Sequence, residues 1–316
     1  METTERIPPI NGEGVSKPGS LGDRLRQPAR KQLRIERRGR LLTWFSATVM
    51  MGILLALLFF ITSKGLSTFI KDGVSLSSFF SNQWAPSEGQ FGALPFITGS
   101  FAVTVLAALI SAPLGIGAAV FMTEIAPAWG RKVLQPVIEL LVGIPSVVYG
   151  FIGLTLLVPY IRNIHGGSGF SLLAGVIVLS IMILPTITSI AVDTLQNVPR
   201  KIREASYALG ATRWQTIRRV LLRTSLSGLM TGLVLGMARA FGEALAVQMV
   251  IGNSGQIPTG LFDPISTLTS VITLHMGNTV QGSAYNDALW SMALILLLMT
   301  LFFIVVIRLI TRRRES

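Results

Sequence analysis

Six apolar runs, each about long enough to cross a bilayer, dominate the sequence: residues 41–61, 96–122, 133–160, 170–191, 226–251 and 288–310. A helix rises about 1.5 Å per residue and the hydrocarbon core is about 30 Å thick, so roughly 20 residues make one crossing. In lipid no water satisfies the peptide N–H and C=O groups, so a run of this kind must close its hydrogen bonds internally as a helix. The expected fold is therefore all-α, a polytopic membrane protein with six transmembrane helices. Composition agrees, with 50% of residues hydrophobic and 13% charged, against roughly a quarter charged in a soluble domain.

Lysine and arginine give the orientation. They cluster before the first run (Arg24, Arg26, Arg30, Lys31, Arg34, Arg37, Arg38, Arg40), between the second and third (Arg131, Lys132), between the fourth and fifth (Arg200, Lys201, Arg203, Arg213, Arg218, Arg219) and at the end (Arg312, Arg313, Arg314). Positive charge marks the cytoplasmic side, so both termini are expected inside, in a plasma (inner) membrane. The opposite connections carry Lys64 and Lys71, then Arg162, and none over residues 253–287. Topology thereby accounts for the net charge of +12, and no nucleic acid is expected as a partner.

The same composition narrows the chemistry. With no cysteine and two distant histidines, His165 and His275, neither a disulfide framework nor a metal centre is expected, and no cofactor. No GxxxxGK[ST] stretch cradles ATP, and no serine, histidine and acid set falls within the spans, so the chain is not expected to be an enzyme.

Along the chain, residues 1–40 read as a cytoplasmic basic tail suited to anionic lipid headgroups. Residues 41–61 form a first transmembrane helix, taken as a retained anchor because no small-residue cleavage pattern follows it. Residues 62–94 are an extracytoplasmic loop containing SNQWAPSEGQFG, 95–310 the transmembrane domain and 311–316 a short cytoplasmic tail. A second outer loop, residues 252–287, includes LFDPISTLTSVITLHM, too short and too broken by Pro264 to span. It is expected at the interface or partly re-entrant.

Between the fourth and fifth runs lies a polar stretch, residues 197–224, with helix punctuation of its own. Pro199 suits a first helical turn with Asn197 as a cap just upstream, and Gly210 is placed to stop the helix in the left-handed conformation. Thr212 followed by Gln215 reads as a capping box that starts a second helix. A loop pinned by positive charge and a protruding docking surface both accommodate this pattern.

The stretch EASYALGATRWQTIRR, followed by LSGLMTG, resembles the cytoplasmic EAA signature of importer-type ABC transporter permeases. Glu204, Ala205 and Gly210 match it; Ser206 stands where a second alanine is usual, and Arg223 falls near a commonly found proline. FGALPFITGSF, APLGIGAAVFMTEIAP, GIPSVVYGF, LPTIT and RAFGEALAVQMVIGN, in this order over residues 84–308, are similar to the phosphate-specific permeases of the PstC type. The resemblance implies a type I ABC importer permease fold that carries phosphate by alternating access. It also implies three partners: a second homologous permease subunit, an ATP-binding subunit dimer docked at a coupling loop with Glu204, Ala205, Tyr207 and Gly210, and an extracytoplasmic phosphate-binding protein. ATP hydrolysis would then fall to the separate subunit. A permease for another oxyanion, sulfate or molybdate, is the near alternative; an autonomous ion-coupled carrier or channel is the distant one.

The fifth run carries most of the intramembrane chemistry. Gly228, Gly232 and Gly236, with Ala240 and Ala244, recur every fourth residue, a small-residue stripe that lets another helix approach closely. Arg239 and Glu243, also four apart, are placed to touch each other. A charge at mid-membrane costs about 2.5 to 3.5 kcal/mol on insertion scales, so both should face a partner or a wet path. In one reading Arg239 contacts phosphate in transit while Glu243 holds it at rest; in the other the pair fixes helix register. Pro145 and Pro185 free backbone carbonyls inside the third and fourth runs, and the neighbouring hydroxyls of Ser146 and Thr186 join the candidate pathway. Glu124 and Glu139 read as interface anchors or coupling-loop partners, and Tyr149 as pathway or packing.

Overall fold

The computed structural model describes residues 30–312, so most of the expected basic tail and the last four residues lie outside it. The chain divides after Phe59. In the first unit the described segment belongs to α1 (Arg30–Ile70), where Trp44, Phe45, Met51 and Phe59 are all exposed. A helix with hydrocarbon on every side suits lipid. In the second unit α1 continues to Ile70, eight residues past the expected start of the outer loop. Packing holds this extension: Gly65 lies against Leu294, and the Ser291 hydroxyl bonds Gly65 O (2.7 Å) and Thr68 Oγ1 (2.8 Å).

A small antiparallel hairpin follows, β1 (Trp84–Ala85) with β2 (Gln90–Phe91), Trp84 opposite Phe91. Then come α2 (Leu94–Val120), extended by a π-helical turn at Phe121–Ile125, and α3 (Ala128–Gly143). Next, α4 (Ser146–Ile152) runs through the π turn Gly153–Leu157 into α5 (Val158–His165), and α6 (Leu172–Gln196) is the central span. The polar stretch holds α7 (Arg200–Ala208) and α8 (Arg213–Gln215), the latter prolonged through Thr216–Leu221 and Leu222–Thr224. Finally α9 (Leu226–Phe241), α10 (Leu245–Gln248), α11 (Leu268–His275) and α12 (Ala284–Arg312) complete the unit.

The core forms where α2 and α6 pack along their lengths, burying Val103, Ala107, Leu179, Ile183 and Ile187. Ser111 stitches the pair by donating to Ala107 O and Ser180 O. The glycine stripe of α9 lies on the other side of α6: a methyl group at Gly228 would strike Thr194, one at Gly232 would sit 3.2 Å from Ile190, and one at Gly236 would be 2.7 Å from Ile187. Small residues here let the two backbones approach, which is how helices gain van der Waals contact when lipid supplies no hydrophobic drive.

Two runs depart from the expected single helices. Residues 133–160 break at Ile144 and Pro145, both extended, so α3 is a separate amphipathic helix and the crossing is Ser146–His165. Proline has no N–H for the ladder and pushes its predecessor out of the helical region, so Pro145 ends one helix and starts the next, where a mid-span kink was expected. Residues 226–251 stop being helical at Phe241, and α9 meets the preceding Arg213–Thr224 at a bend of 68°. Among the described residues five helices are individually long and apolar enough to cross, or up to six if the bent pair is one span.

The second of the loops expected outside packs against the spans. Thr267 and Ser270 form a capping box that starts α11, whose Leu268 and Val271 are buried with Phe79, Phe96, Leu289 and Met292. The Leu268 N–H donates to Ser100 Oγ of α2 at 2.8 Å, fixing the helix start against a membrane span.

Candidate substrate pathway and coupling surface

Arg239 occupies the last turn of α9, half-buried, and donates from Nη1 to Thr186 Oγ1 at 2.9 Å. Thr186 follows Pro185 in α6, where the ring removes one ladder donor, and the next hydroxyl, Thr188, donates back to Leu184 O at 2.8 Å. The expected contact between Arg239 and Glu243 is not formed. Four-residue spacing brings side chains together only while the helix lasts, and α9 has ended at Phe241. Glu243 instead accepts the Ala246 N–H at 3.0 Å, at the start of α10, and its own carbonyl accepts from Thr269 Oγ1 of α11 at 2.8 Å. Among the described residues the ion pairs are Lys71 with Asp287 and Arg203 with Glu124.

Glu243 lines a narrow recess with the hydroxyl residues Ser100, Thr104, Thr267 and Thr269, a space of about 10 Å³, close to the minimum for one water. These hydroxyls escaped the sequence reading because they come from two elements far apart in the chain. The spacing of Ser100 and Thr104, one helical turn on an otherwise apolar run, was the available signal. Ser146, first residue of α4, shares no hydrogen bond with Arg239 or Thr186. Tyr149 bridges the break at Pro145 by donating to Leu141 O at 2.8 Å.

On the polar stretch, α7 and α8 turn about Gly210, whose φ of +78° is the left-handed conformation that glycine enters without steric cost. Both halves of the capping box form, Gln215 N to Thr212 Oγ1 (3.3 Å) and Thr212 N to Gln215 Oε1 (2.9 Å). Asn197 does not cap α7: it closes the end of α6, donating its N–H to Asp193 O, and the extended Pro199 precedes α7. Continued helical geometry through Gln196 claims Asn197 for the earlier helix. Ser206, where the signature usually has alanine, is buried and hydrogen-bonds Thr216 at 2.9 Å, tying α7 to the turn after α8.

Arg203 anchors the same helix to the spans. Its guanidinium donates to Glu124 Oε1 (3.0 Å) at the end of α2, and to Leu195 O and Val198 O (both 2.8 Å) at the end of α6. The sequence offered it only as one of several basic residues. Outward, Glu204, Ala205 and Gly210 are exposed, with Tyr207 (45%), Trp214 (61%) and Leu209 (89%) forming an apolar patch beside them. The loop thus has one face locked to the membrane domain and one bare.

Residues 111–316 match the family described as the binding-protein-dependent transport system inner membrane component. The chain belongs to that family. This transport component is 57% identical over 300 residues to a probable ABC transporter permease protein, YqgH, of Bacillus subtilis, covering 94% of the chain and 97% of the relative. It is 36% identical over 288 residues to the phosphate transport system permease protein PstC of Mesorhizobium japonicum, covering 85% and 86%. Among solved structures, an alginate ABC transporter superposes with a TM-score of 0.62 at 17% identity, over 90% of this chain and 98% of that one. The MetNI methionine transporter gives 0.58 at 17%, over 73% and 99%. The fold of this multi-pass membrane permease is that of type I ABC importers.

The permease closes the start of α6 with the loop that precedes α11. Leu172 N and Leu173 N donate to Asp263 O (2.9 Å) and Leu261 O (2.8 Å), satisfying two helix-end groups. Asp263 Oδ2 in turn accepts from the Thr259 hydroxyl (2.7 Å), Thr259 N (2.8 Å) and Gly260 N (2.7 Å). Those donors, the Thr259 hydroxyl first, hold its carboxyl below the ordinary range for aspartate.

Proposed function

We propose that the chain is the transmembrane permease subunit of an ATP-driven importer of inorganic phosphate, working by alternating access. The observation that carries the substrate is an uncompensated cation inside the membrane, in a chain whose relatives include phosphate permeases. Arg239 is held by a neutral hydroxyl rather than a carboxylate, so its full charge and its remaining donors stay available to an oxyanion. No acid has to be displaced when phosphate arrives, and a single arginine leaves the contact weak enough for release. Glu243, committed to α10 and α11, has a positioning role: it holds the outer segment against the end of α9.

The coupling surface fits the same reading. A separate ATP-binding subunit dimer seats on the bare face around Glu204, Ala205, Tyr207 and Gly210, and ATP binding draws α7 and α8 with it. Arg203 passes that movement to the ends of α2 and α6, and the link between Ser206 and Thr216 passes it towards α9. A second homologous permease completes the pathway, an extracytoplasmic phosphate-binding protein delivers cargo to the outer loops, and both termini face the cytoplasm of a cell whose plasma membrane holds the assembly. Sulfate or molybdate as cargo is the second reading, since arginine accepts any such oxyanion. A carrier built on a paired Arg239 and Glu243 is disfavoured, because that pair is not made.

The test is ATP-dependent uptake of labelled phosphate into vesicles holding the chain with its permease, ATPase and binding-protein partners. Arg239→Gln is expected to abolish uptake with the assembly intact, and excess sulfate to leave wild-type uptake unchanged. Full uptake by the variant removes the arginine from the pathway; competition by sulfate moves the cargo to the alternative.

A further inference from the structure

A second concentration of charge lies away from the pathway, where the ends of α2 and α6 meet α3 and α7. A cavity of about 470 Å³ opens there, lined by Glu124, Arg131, Arg200, Arg203, Glu204 and Tyr207 among others. Arg203 and Glu124 neutralise each other. Arg131 and Arg200 have no side-chain hydrogen bond or ion pair among the described residues, and Glu204 lies in an ion pair with neither. Two guanidinium groups and one carboxylate without ion-pair partners therefore line one open space far larger than a water needs.

The depth of the cavity narrows the ligand. Its walls are the last turns of two spans, and Trp129, largely exposed, stands two residues before Arg131, as aromatic residues do at the headgroup level. A planar guanidinium from each of two different helices is the arrangement that grips a phosphate group from two sides.

We propose that this cavity is a phosphate-group site on the cytoplasmic face, in which Arg131 from α3 and Arg200 from α7 hold a phosphate carried on an anionic lipid headgroup or free in solution. Its side of the membrane follows the proposed topology; the grip of the two arginines does not depend on it, nor on what the pathway carries. Occupancy links the start of α3 to α7 through the ligand, beside the Arg203 and Glu124 pair that ties α7 to the end of α2.

The full chain in nanodiscs provides the test. Native mass spectrometry reads retention of phosphatidylglycerol against phosphatidylcholine, and equilibrium dialysis reads labelled inorganic phosphate. Each of Arg131→Gln and Arg200→Gln is expected to weaken one of these ligands about tenfold, the loss of a charge-assisted hydrogen bond, with phosphatidylcholine retention unaltered. Lys132→Gln, an exposed neighbour, should change nothing, and Arg131→Lys, which keeps the charge but not the fork, should fall between. A loss confined to phosphatidylglycerol identifies the lipid source and a loss confined to inorganic phosphate the soluble one. Equal binding by wild type and both glutamine variants overturns the site, as does phosphate binding that disappears with Arg239→Gln alone.

Discussion

Replacing Arg203 by methionine should cost far more than losing one surface charge. The guanidinium is 19% exposed and its partner Glu124 only 9%, so the variant leaves a mostly covered carboxylate without its ion-pair partner. Breaking a buried pair from one side costs about 3 to 5 kcal/mol. The Leu195 and Val198 carbonyls at the helix end lose a donor as well, but water can replace it there. Thermal unfolding of the purified chain, followed by tryptophan fluorescence, should show Tm falling on the order of 10 °C. Glu124→Gln added to Arg203→Met should recover most of the loss. A fall of less than about 1 kcal/mol, or no recovery in the double variant, would refute the claim that Arg203 anchors α7 through this pair.

Gly210→Val forces a β-branched residue into a φ of +78°, a strain of about 1 to 3 kcal/mol; the chain should stay membrane-inserted while ATP hydrolysis and phosphate uptake lose their stoichiometry, and normal coupling would remove the hinge. The outer loop should respond to acid. Because the Asp263 carboxyl is held below its ordinary value, its bonds to Thr259 and Gly260 stabilise the loop above the unfolded pKa and are lost as pH falls through the lower folded one. Limited proteolysis at residues 252–267 should therefore be pH-independent from neutral down to about pH 4 and rise below it, whereas Asp263→Asn should be cleaved faster at every pH. A tag on either terminus should be reachable by label only from the cytoplasmic side, and labelling from outside would invert the topology.

The spans were readable because lipid leaves so few solutions: a long apolar run must be a helix, and α2, α6 and α12 follow their runs closely. Where those runs carry proline and glycine the outcome depended on tertiary contacts. Pro145 and Pro185 look alike in sequence, yet Pro185 stays inside α6, backed by the hydroxyls around it, while Pro145 separates two helices. Arg239 and Glu243 were correctly seen as four apart, but spacing says nothing about partners once a helix has stopped. The turn within residues 197–224 was legible at Gly210, Thr212 and Gln215, which act through local backbone geometry alone, whereas Asn197 was claimed by the preceding helix. Arg203 was illegible for the opposite reason: its acceptors include Glu124, 79 residues away.

The Leu268 amide deserves its own reading. It is buried, it starts a helix, and its acceptor is a side chain on another span rather than the preceding turn. Its hydrogen is protected while α11 rests on Ser100, so its exchange rate reports how readily this segment opens. Comparing that rate with and without nucleotide on the assembled transporter would convert a static hydrogen bond into a clock for the transport cycle.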